Sequence, residues 1–525
     1  MLFRSHLLLQ NGAGVDSRTK VGRTSLMIAS MEGHLDVVRS LLENGARVDS
    51  HDNSGQTPLI LATLHGHLDI MRLLLQSGAA VELCGNNVWT PLFSASRCGH
   101  ADVVRLLLQN GADVDSRTKD GWTPLLSASR NGHLDVIHLL LQNGASVESR
   151  NNDGWPSLIL ASGEGHLDIV RSLLQNGAHV DSRNDTGWTP LISATLKGHL
   201  DIVRLLLQSG AAVELCDNNG WTPLISASRY GHPDVVRLLL HNGAGVDSRT
   251  NDGWTSLLSA SRFGHLDVVH SLLENGASVE SRNTDGWTSL MLASGEGHLD
   301  VVRSLLENGA RVDSRNDSGW TPLISATLKG HLDIVRLLLQ SGAAVELCDN
   351  NGWTPLISAS RYGHADVVRL LLHNGAGVDS RTNDGWTSLL SASRNGHLDV
   401  VHLLLKNGAS VESRDNDGWT SLMKASGEGH LDVVRSLLEN GACVDSRNKY
   451  GRTPLISATQ NGHPDIVRLL LQSGAAVDSS RIDGLSPSNG ASRFPSQFRT
   501  TISSSPYRFE SRRPRLLYSS SCGIR

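Results

Sequence analysis

Gly187-Trp188-Thr189-Pro190-Leu191-Ile192-Ser193-Ala194-Thr195-Leu196-Lys197-Gly198-His199 is the stretch whose reading decides the fold. Thr189 is a good helix N-cap, because its hydroxyl accepts a backbone N–H that the first turn leaves unpaired. Pro190 suits the first helical position: its fixed φ is already helical and its missing N–H would have had no partner. Leu191 and Ala194 sit on one face, and Gly198 supplies the left-handed residue that ends a helix. A second helix follows over Asp201-Ile202-Val203-Arg204-Leu205-Leu206-Leu207. Its Ile202, Val203, Leu206 and Leu207 form a stripe wide enough to pack on both neighbouring layers. Gly210-Ala211-Ala212-Val213 breaks that helix, and Asn219-Gly220 reads as a tight turn. The unit is therefore helix, turn, helix and a hairpin-like loop.

The Gly-His pair marks how often the unit recurs. His stands at 34, 67, 100, 133, 166, 199, 232, 265, 298, 331, 364, 397, 430 and 463, so every interval is 33 residues and there are 14 units. A fixed period of this size is the signature of a solenoid. One unit cannot bury its own apolar face, and stacking buries it. Composition agrees: 4% of residues are aromatic and 39% hydrophobic, so the core must be built from Leu, Val, Ile and Ala. A longer period lies over the first. Residues 184–315 and 316–447 differ at nine positions, as a duplicated four-repeat block would.

The pattern Gly-x-Thr-Pro-Leu, Ala, Gly-His, Val-Val-x-x-Leu-Leu, Gly-Ala-x-Val resembles the ankyrin repeat, over residues from about 15 to 480. The resemblance implies an all-α ankyrin-repeat solenoid of helix-turn-helix units joined by hairpin-like loops. There are departures. The His that usually follows Thr-Pro-Leu is replaced by Ile192, Leu126, Met291 or Phe93, which removes a turn-to-turn hydrogen bond. Ser replaces Pro at 25, 157, 256, 289, 388 and 421, and Pro156 stands in the Thr cap position.

The division expected is a truncated partial repeat over 1–14, the solenoid over 15–480, and a disordered Ser/Arg-rich tail over 481–525. The opening residues align with the second half of a repeat, and Asp483-Gly484-Leu485-Ser486-Pro487 echoes the repeat before the apolar pattern fails. The tail holds eight Arg against Asp483 and Glu510, a charge of +6, which leaves −11 of the formal −5 on residues 1–480. Within it, Ser511-Arg512-Arg513-Pro514-Arg515 reads as solvated chain, or as a nuclear-import or phosphorylation segment. An acidic body with a short basic tail does not look like a nucleic-acid groove, so no nucleic-acid partner is expected. No apolar run is long enough for a membrane span. Cys84, Cys216 and Cys348 are each 132 residues apart, too distant to pair with one another, which fits a reduced setting.

The Trp residues are the most informative side chains. All 11 hold one repeat position: Trp89, Trp122, Trp155, Trp188, Trp221, Trp254, Trp287, Trp320, Trp353, Trp386 and Trp419. Arg23, Gln56 and Arg452 hold it in the outer repeats. By the resemblance, the position lines the concave face and is one of those varied in designed ankyrin repeat proteins to create binding surfaces. Exposed aromatics in a row are hot-spot material. The competing reading is that each indole lies over the adjacent loop and stiffens the stack. The pair before Gly-His is the most variable: Arg97-Cys98, Arg130-Asn131, Gly163-Glu164, Leu196-Lys197, Arg229-Tyr230, Arg262-Phe263 and Arg361-Tyr362. Variation on an otherwise copied scaffold is what a recognition surface would show, and also what drift at exposed sites would show.

Catalytic and metal readings fail on geometry. One His per layer does not converge on an ion, and Ser, His and Asp copied in every repeat do not make a triad. Gly163-Glu164-Gly165 and its copies lack the strand and spacing of a phosphate loop. The expectation is a non-enzymatic protein-protein interaction scaffold, without cofactors or metal, monomeric, cytoplasmic or nuclear. The alternative is the substrate-recruiting part of a larger enzyme or channel.

Overall fold

The computed structural model describes residues 14–477. The expected partial repeat over 1–14, apart from its last residue, and the expected tail over 481–525 lie outside the described residues. The described chain forms 28 helices in 14 antiparallel pairs, from Ser25–Met31 with Leu35–Glu43 to Pro454–Gln460 with Pro464–Gln472. Among the described residues there is no strand, only isolated bridges such as Arg282 with Thr288. The all-α solenoid expected from the period is the fold observed.

Each local signal acts as the sequence implies. The Thr189 hydroxyl accepts the Ile192 N–H at 3.2 Å, with Pro190 in the first helical position. Pro156 occupies the cap position of Ser157–Glu164 and makes no side-chain cap bond. Gly198 ends the first helix at φ 76°. The core is one continuous layer running through all repeats: Leu224, Ala227, Val235, Val236 and Leu239 of the seventh repeat are at most 1% exposed, and their equivalents repeat the pattern. First helices of neighbouring repeats touch more extensively than second helices do, so the first-helix row is the shorter, inner side of the stack.

Four polar ladders hold the repeats in register. The Gly-His imidazole reaches back across the interface: His265 Nε2 lies 3.0 Å from the Arg229 carbonyl and His232 Nε2 lies 3.2 Å from the Leu196 carbonyl. A carbonyl only accepts, so Nε2 carries the proton. Burial pushes His133, His265 and His331 below the usual imidazole value, which keeps that neutral donor. The hairpin tips are joined by backbone bonds, Asn218 N–H to Thr186 O at 3.0 Å and Asn251 N–H to Asn219 O at 2.9 Å. After each second helix a carboxylate accepts a backbone N–H from the next repeat, as Glu214 does from Gly245 at 2.7 Å. An arginine ladder runs alongside, with Arg183 donating to the Cys216 carbonyl at 2.8 Å. Cys84, Cys216 and Cys348 stand at that arginine position. Each interrupts the ladder, which resumes where Arg249 donates to the Arg282 carbonyl at 2.7 Å.

Two backbone positions make this testable. Val88 stands where other repeats have the turn glycine, and it is the one described non-glycine residue with positive φ, at 58°. A β-branched side chain is strained there. Val88→Gly is expected to raise stability by about 1 kcal/mol, read as a higher denaturant midpoint. Gly231 and Gly243 both have positive φ, 71° and 84°. A Cβ on Gly231 would meet His265 Nδ1 at 2.4 Å, whereas one on Gly243 meets nothing within 4 Å. Gly243→Ala should therefore cost about 1 kcal/mol from backbone strain alone, and Gly231→Ala at least twice that. Equal midpoints for the two variants would show that the imidazole over Gly231 places no constraint on the backbone.

Candidate functional site

The Trp row lies between the left-handed turn glycine and the cap Thr, on the hairpin side of the first helices. Its backbone is fixed by an Asx-type turn: Asp217 Oδ1 accepts the N–H groups of Asn219 and Trp221 at 2.8 and 2.9 Å. Trp188 in turn donates its indole N–H to Asp217, and Trp320 to Asp349, each across one repeat interface. Burial pushes both carboxyls up, against the hydrogen bonds they accept. Trp89, Trp122, Trp155, Trp188, Trp221, Trp287, Trp320, Trp353, Trp386 and Trp419 are half-buried, and Trp254 is buried at 5% exposure. The row is therefore a partly covered ladder.

Much of the cover comes from the variable pair. The Arg97 guanidinium lies 4.7 Å from the Trp89 ring centroid, Arg130 5.5 Å from Trp122, and Arg229 5.3 Å from Trp221. Arg262 lies 5.5 Å from Trp254, Arg361 5.0 Å from Trp353, and Arg394 5.5 Å from Trp386. Each Arg sits two turns along the helix from its Trp, which carries it back over the indole. Such contacts contribute about 0.5–2 kcal/mol. The structure thus joins the two candidate sets, the Trp position and the pair before Gly-His, into one surface. Arg394 belongs to it as well; the signal was its place 132 residues after Arg262.

The surface is uneven. Tyr230 and Phe263 are exposed at 47% and 39%, and the Arg229 guanidinium lies 4.9 Å from the Phe263 ring and 6.0 Å from Tyr230. Tyr362 is less exposed than Tyr230, and Asn395 stands in the place of Phe263 one block later, so repeats seven and eight alone carry this aromatic pair. Where Gly163 and Gly295 stand at the arginine position, the indoles pair with each other. Trp155 and Trp188 meet edge to face at 5.8 Å, and Trp287 and Trp320 at 5.7 Å.

Lys424 was not among the residues singled out from sequence. Its ammonium lies between Trp386 and Trp419, 4.6 and 4.5 Å from the ring centroids, and pairs with Asp415 at 3.2 Å. Both side chains are nearly buried, at 12% and 6% exposure. Burial pulls the lysine below its ordinary value, against the attraction of Asp415. One block earlier the same places hold Leu292 and Asn283, so two of the nine differences between the blocks touch each other. Among the described residues no cluster of His, Cys, Asp or Glu is arranged to hold a metal ion.

Installing the Leu and Asn of the preceding block tests the pair. Lys424→Leu alone leaves Asp415 buried without its cation, and Asp415→Asn alone leaves the lysine without its counter-charge. Each is expected to cost about 2–3 kcal/mol, and the double variant to be neutral or stabilising at pH 7. A lysine held below its usual 10.5 penalises folding while it is charged, so the wild type should gain on the double variant as the pH rises towards 10.5. Additive single costs in thermal melts would remove the pair as a unit.

No curated protein sequence matches the chain significantly. A family profile built on three consecutive ankyrin repeats matches seven overlapping stretches, 5–83, 77–151, 148–217, 209–283, 257–349, 341–415 and 411–481. These matches run through nearly the whole stack of helix pairs, and the chain belongs to the ankyrin-repeat family.

Proposed function

We propose that the chain is a non-enzymatic interaction scaffold that binds partner proteins along the first-helix and hairpin face, with repeats seven and eight as its anchor. Proteins of this family bind other proteins, and the observation that carries the finer reading is the cluster Arg229, Tyr230 and Phe263. Tyr230 and Phe263 share one guanidinium and so form a contiguous exposed patch rather than scattered apolar residues. A guanidinium stacked between aromatic faces keeps its N–H groups available at the ring edges, so an acidic or carboxylate-bearing segment is the ligand chemistry this cluster fits. Binding hot spots elsewhere concentrate Trp, Tyr and Arg in this manner. The Trp row beneath then acts as a rigid bed, since its indoles are held by a cation, by a carboxylate or by a neighbouring indole. Among the described residues no helix is long and apolar enough to cross a membrane.

Affinity capture with chemical cross-linking tests the face. The triple variant Arg229→Ala, Tyr230→Ala, Phe263→Ala is compared with a control bearing Arg237→Ala and Arg336→Ala on the second helices, where both arginines are exposed ion-pair partners. At least one partner cross-linked to the wild type is expected to drop tenfold or more with the triple variant and to persist with the control. Equal capture by a folded triple variant would remove this face from the account.

A further inference from the structure

The same face carries a second kind of site, of opposite charge, at two places one block apart. In repeats three, four, seven, eight, eleven and twelve the chain lays its own arginine on its own tryptophan. In repeats five and nine the arginine is replaced by Gly163 and Gly295, and the next residue is Glu164 or Glu296. These repeats bring no arginine of their own. Trp155 and Trp287 instead meet Trp188 and Trp320 edge to face. Exposed acids outnumber the cations on the loops and helix ends that carry both pairs: Asp153, Asp185 and Glu164 against Lys197 and Arg183 at the first, and Asp285, Asp317 and Glu296 against Lys329 and Arg315 at the second.

The third repeat of this type shows what the arrangement accepts. Trp419 follows the same plan, with Gly427 and Glu428 in place of Arg and its neighbour. There the chain supplies cations from other positions: Lys424 lies 4.5 Å from the Trp419 centroid, and Arg452, which stands where Trp188 and Trp320 stand, lies 5.9 Å away. An indole of this row without its own arginine is thus competent to hold a cation on its face. The quadrupole of the ring favours this, and neighbouring carboxylates add to it.

We propose that the Trp155–Trp188 and Trp287–Trp320 pairs are two matching sites for arginine side chains of an extended basic segment of a partner protein. The proposal rests on the reading of this face as the binding face, but on different repeats and on a ligand of opposite charge. The partner's guanidinium takes the place over the indole that Arg262 or Arg361 fills elsewhere, with Glu164 or Glu296 as its counter-charge. Glu296 is bonded to Lys329 at 2.8 Å in the free chain, both being well exposed. An exposed pair of this kind contributes little and yields readily to a bidentate arginine. The sites are four repeats apart, roughly 40 Å at about 10 Å per helix layer. An extended chain covers that in about 12 residues. A segment with two arginines at that spacing engages both sites at once, and the second contact is intramolecular.

The test uses the full chain and three synthetic peptides, followed by calorimetry and Trp fluorescence at fixed salt. One carries two arginines separated by twelve Gly and Ser residues, one carries a single arginine, and one carries two glutamates in place of the arginines. The two-arginine peptide is expected to bind at least tenfold more tightly than the single-arginine peptide, and the glutamate peptide not to bind at these sites. The variant Gly163→Arg with Gly295→Arg restores the internal arginine and should lose the two-arginine peptide. Glu164→Lys with Glu296→Lys, which leaves the helix glycines alone, should weaken it tenfold or more. Unchanged affinity in both variants, with helical content intact, would overturn the proposal, as would equal binding of the first two peptides. Binding seen only after the arginines of residues 481–525 are changed to serine would assign the sites to the chain's own terminus and overturn the partner assignment. The triple variant at Arg229, Tyr230 and Phe263 should still bind the two-arginine peptide, which separates failure of this proposal from failure of the anchor at repeats seven and eight.

Discussion

The hydrogen bond from each Gly-His imidazole after the first to a carbonyl 36 residues earlier is the constraint on which the rest of the structure depends. It needs a left-handed glycine beneath it, because a Cβ at Gly231 or Gly264 would lie 2.4 Å from the ring of the following repeat. It needs a proton on Nε2, because the carbonyl it meets can only accept. It fixes one repeat on the next at the carbonyl of the variable pair, as at Arg229, Arg262 and Arg361. One residue therefore serves both, its backbone carbonyl accepting the register bond and its side chain covering the tryptophan. Side chains there can vary while the backbone bond holds the register.

That division of labour accounts for the surface. Hydrophobic burial between layers supplies the bulk of the stability, and in a solenoid it is close to a sum over repeats and their interfaces. The polar ladders select one register among those the apolar stripe alone would allow. With the register fixed, residues eight apart in one repeat always meet, so Arg on Trp recurs wherever both are present. Where the arginine is missing, the indole turns to its neighbour. Copying a four-repeat block copied the face with it, and the differences between blocks fall partly where side chains touch, as with Asp415 and Lys424.

The period made the fold legible, because 14 phased copies of a cap, a helix break and an apolar stripe leave little else possible. The imidazole as a tie between turns was also legible, since one His per layer has no other converging partner. The Trp position could be read as special but not as exposed or covered. Its cover depends on Arg97, Arg229 and their equivalents curling back over two turns, and on indole bonds to Asp217 and Asp349 in the next repeat. Lys424 gave a signal only as a break in the copy, where the two blocks have Leu292 and Lys424. Its meaning needed Asp415, which lies on the preceding hairpin loop.

By itself the sequence determined the repeat length, the helix boundaries, the left-handed turns, the core residues and the family. All of these follow from local chemistry and spacing within one unit, which every copy restates. Only the tertiary structure decided which variable side chains share a site, which tryptophans are covered by arginine and which by one another, and that a buried ion pair replaces an Asn and a Leu. The indole pairs, Arg229 against Phe263 and Lys424 against Trp386 join residues more than 30 apart in neighbouring layers, and their geometry is set by how the layers stack. The arginine cover and the Lys424–Asp415 pair join residues eight or nine apart, and they meet only because the first helix folds back over the hairpin loop before it.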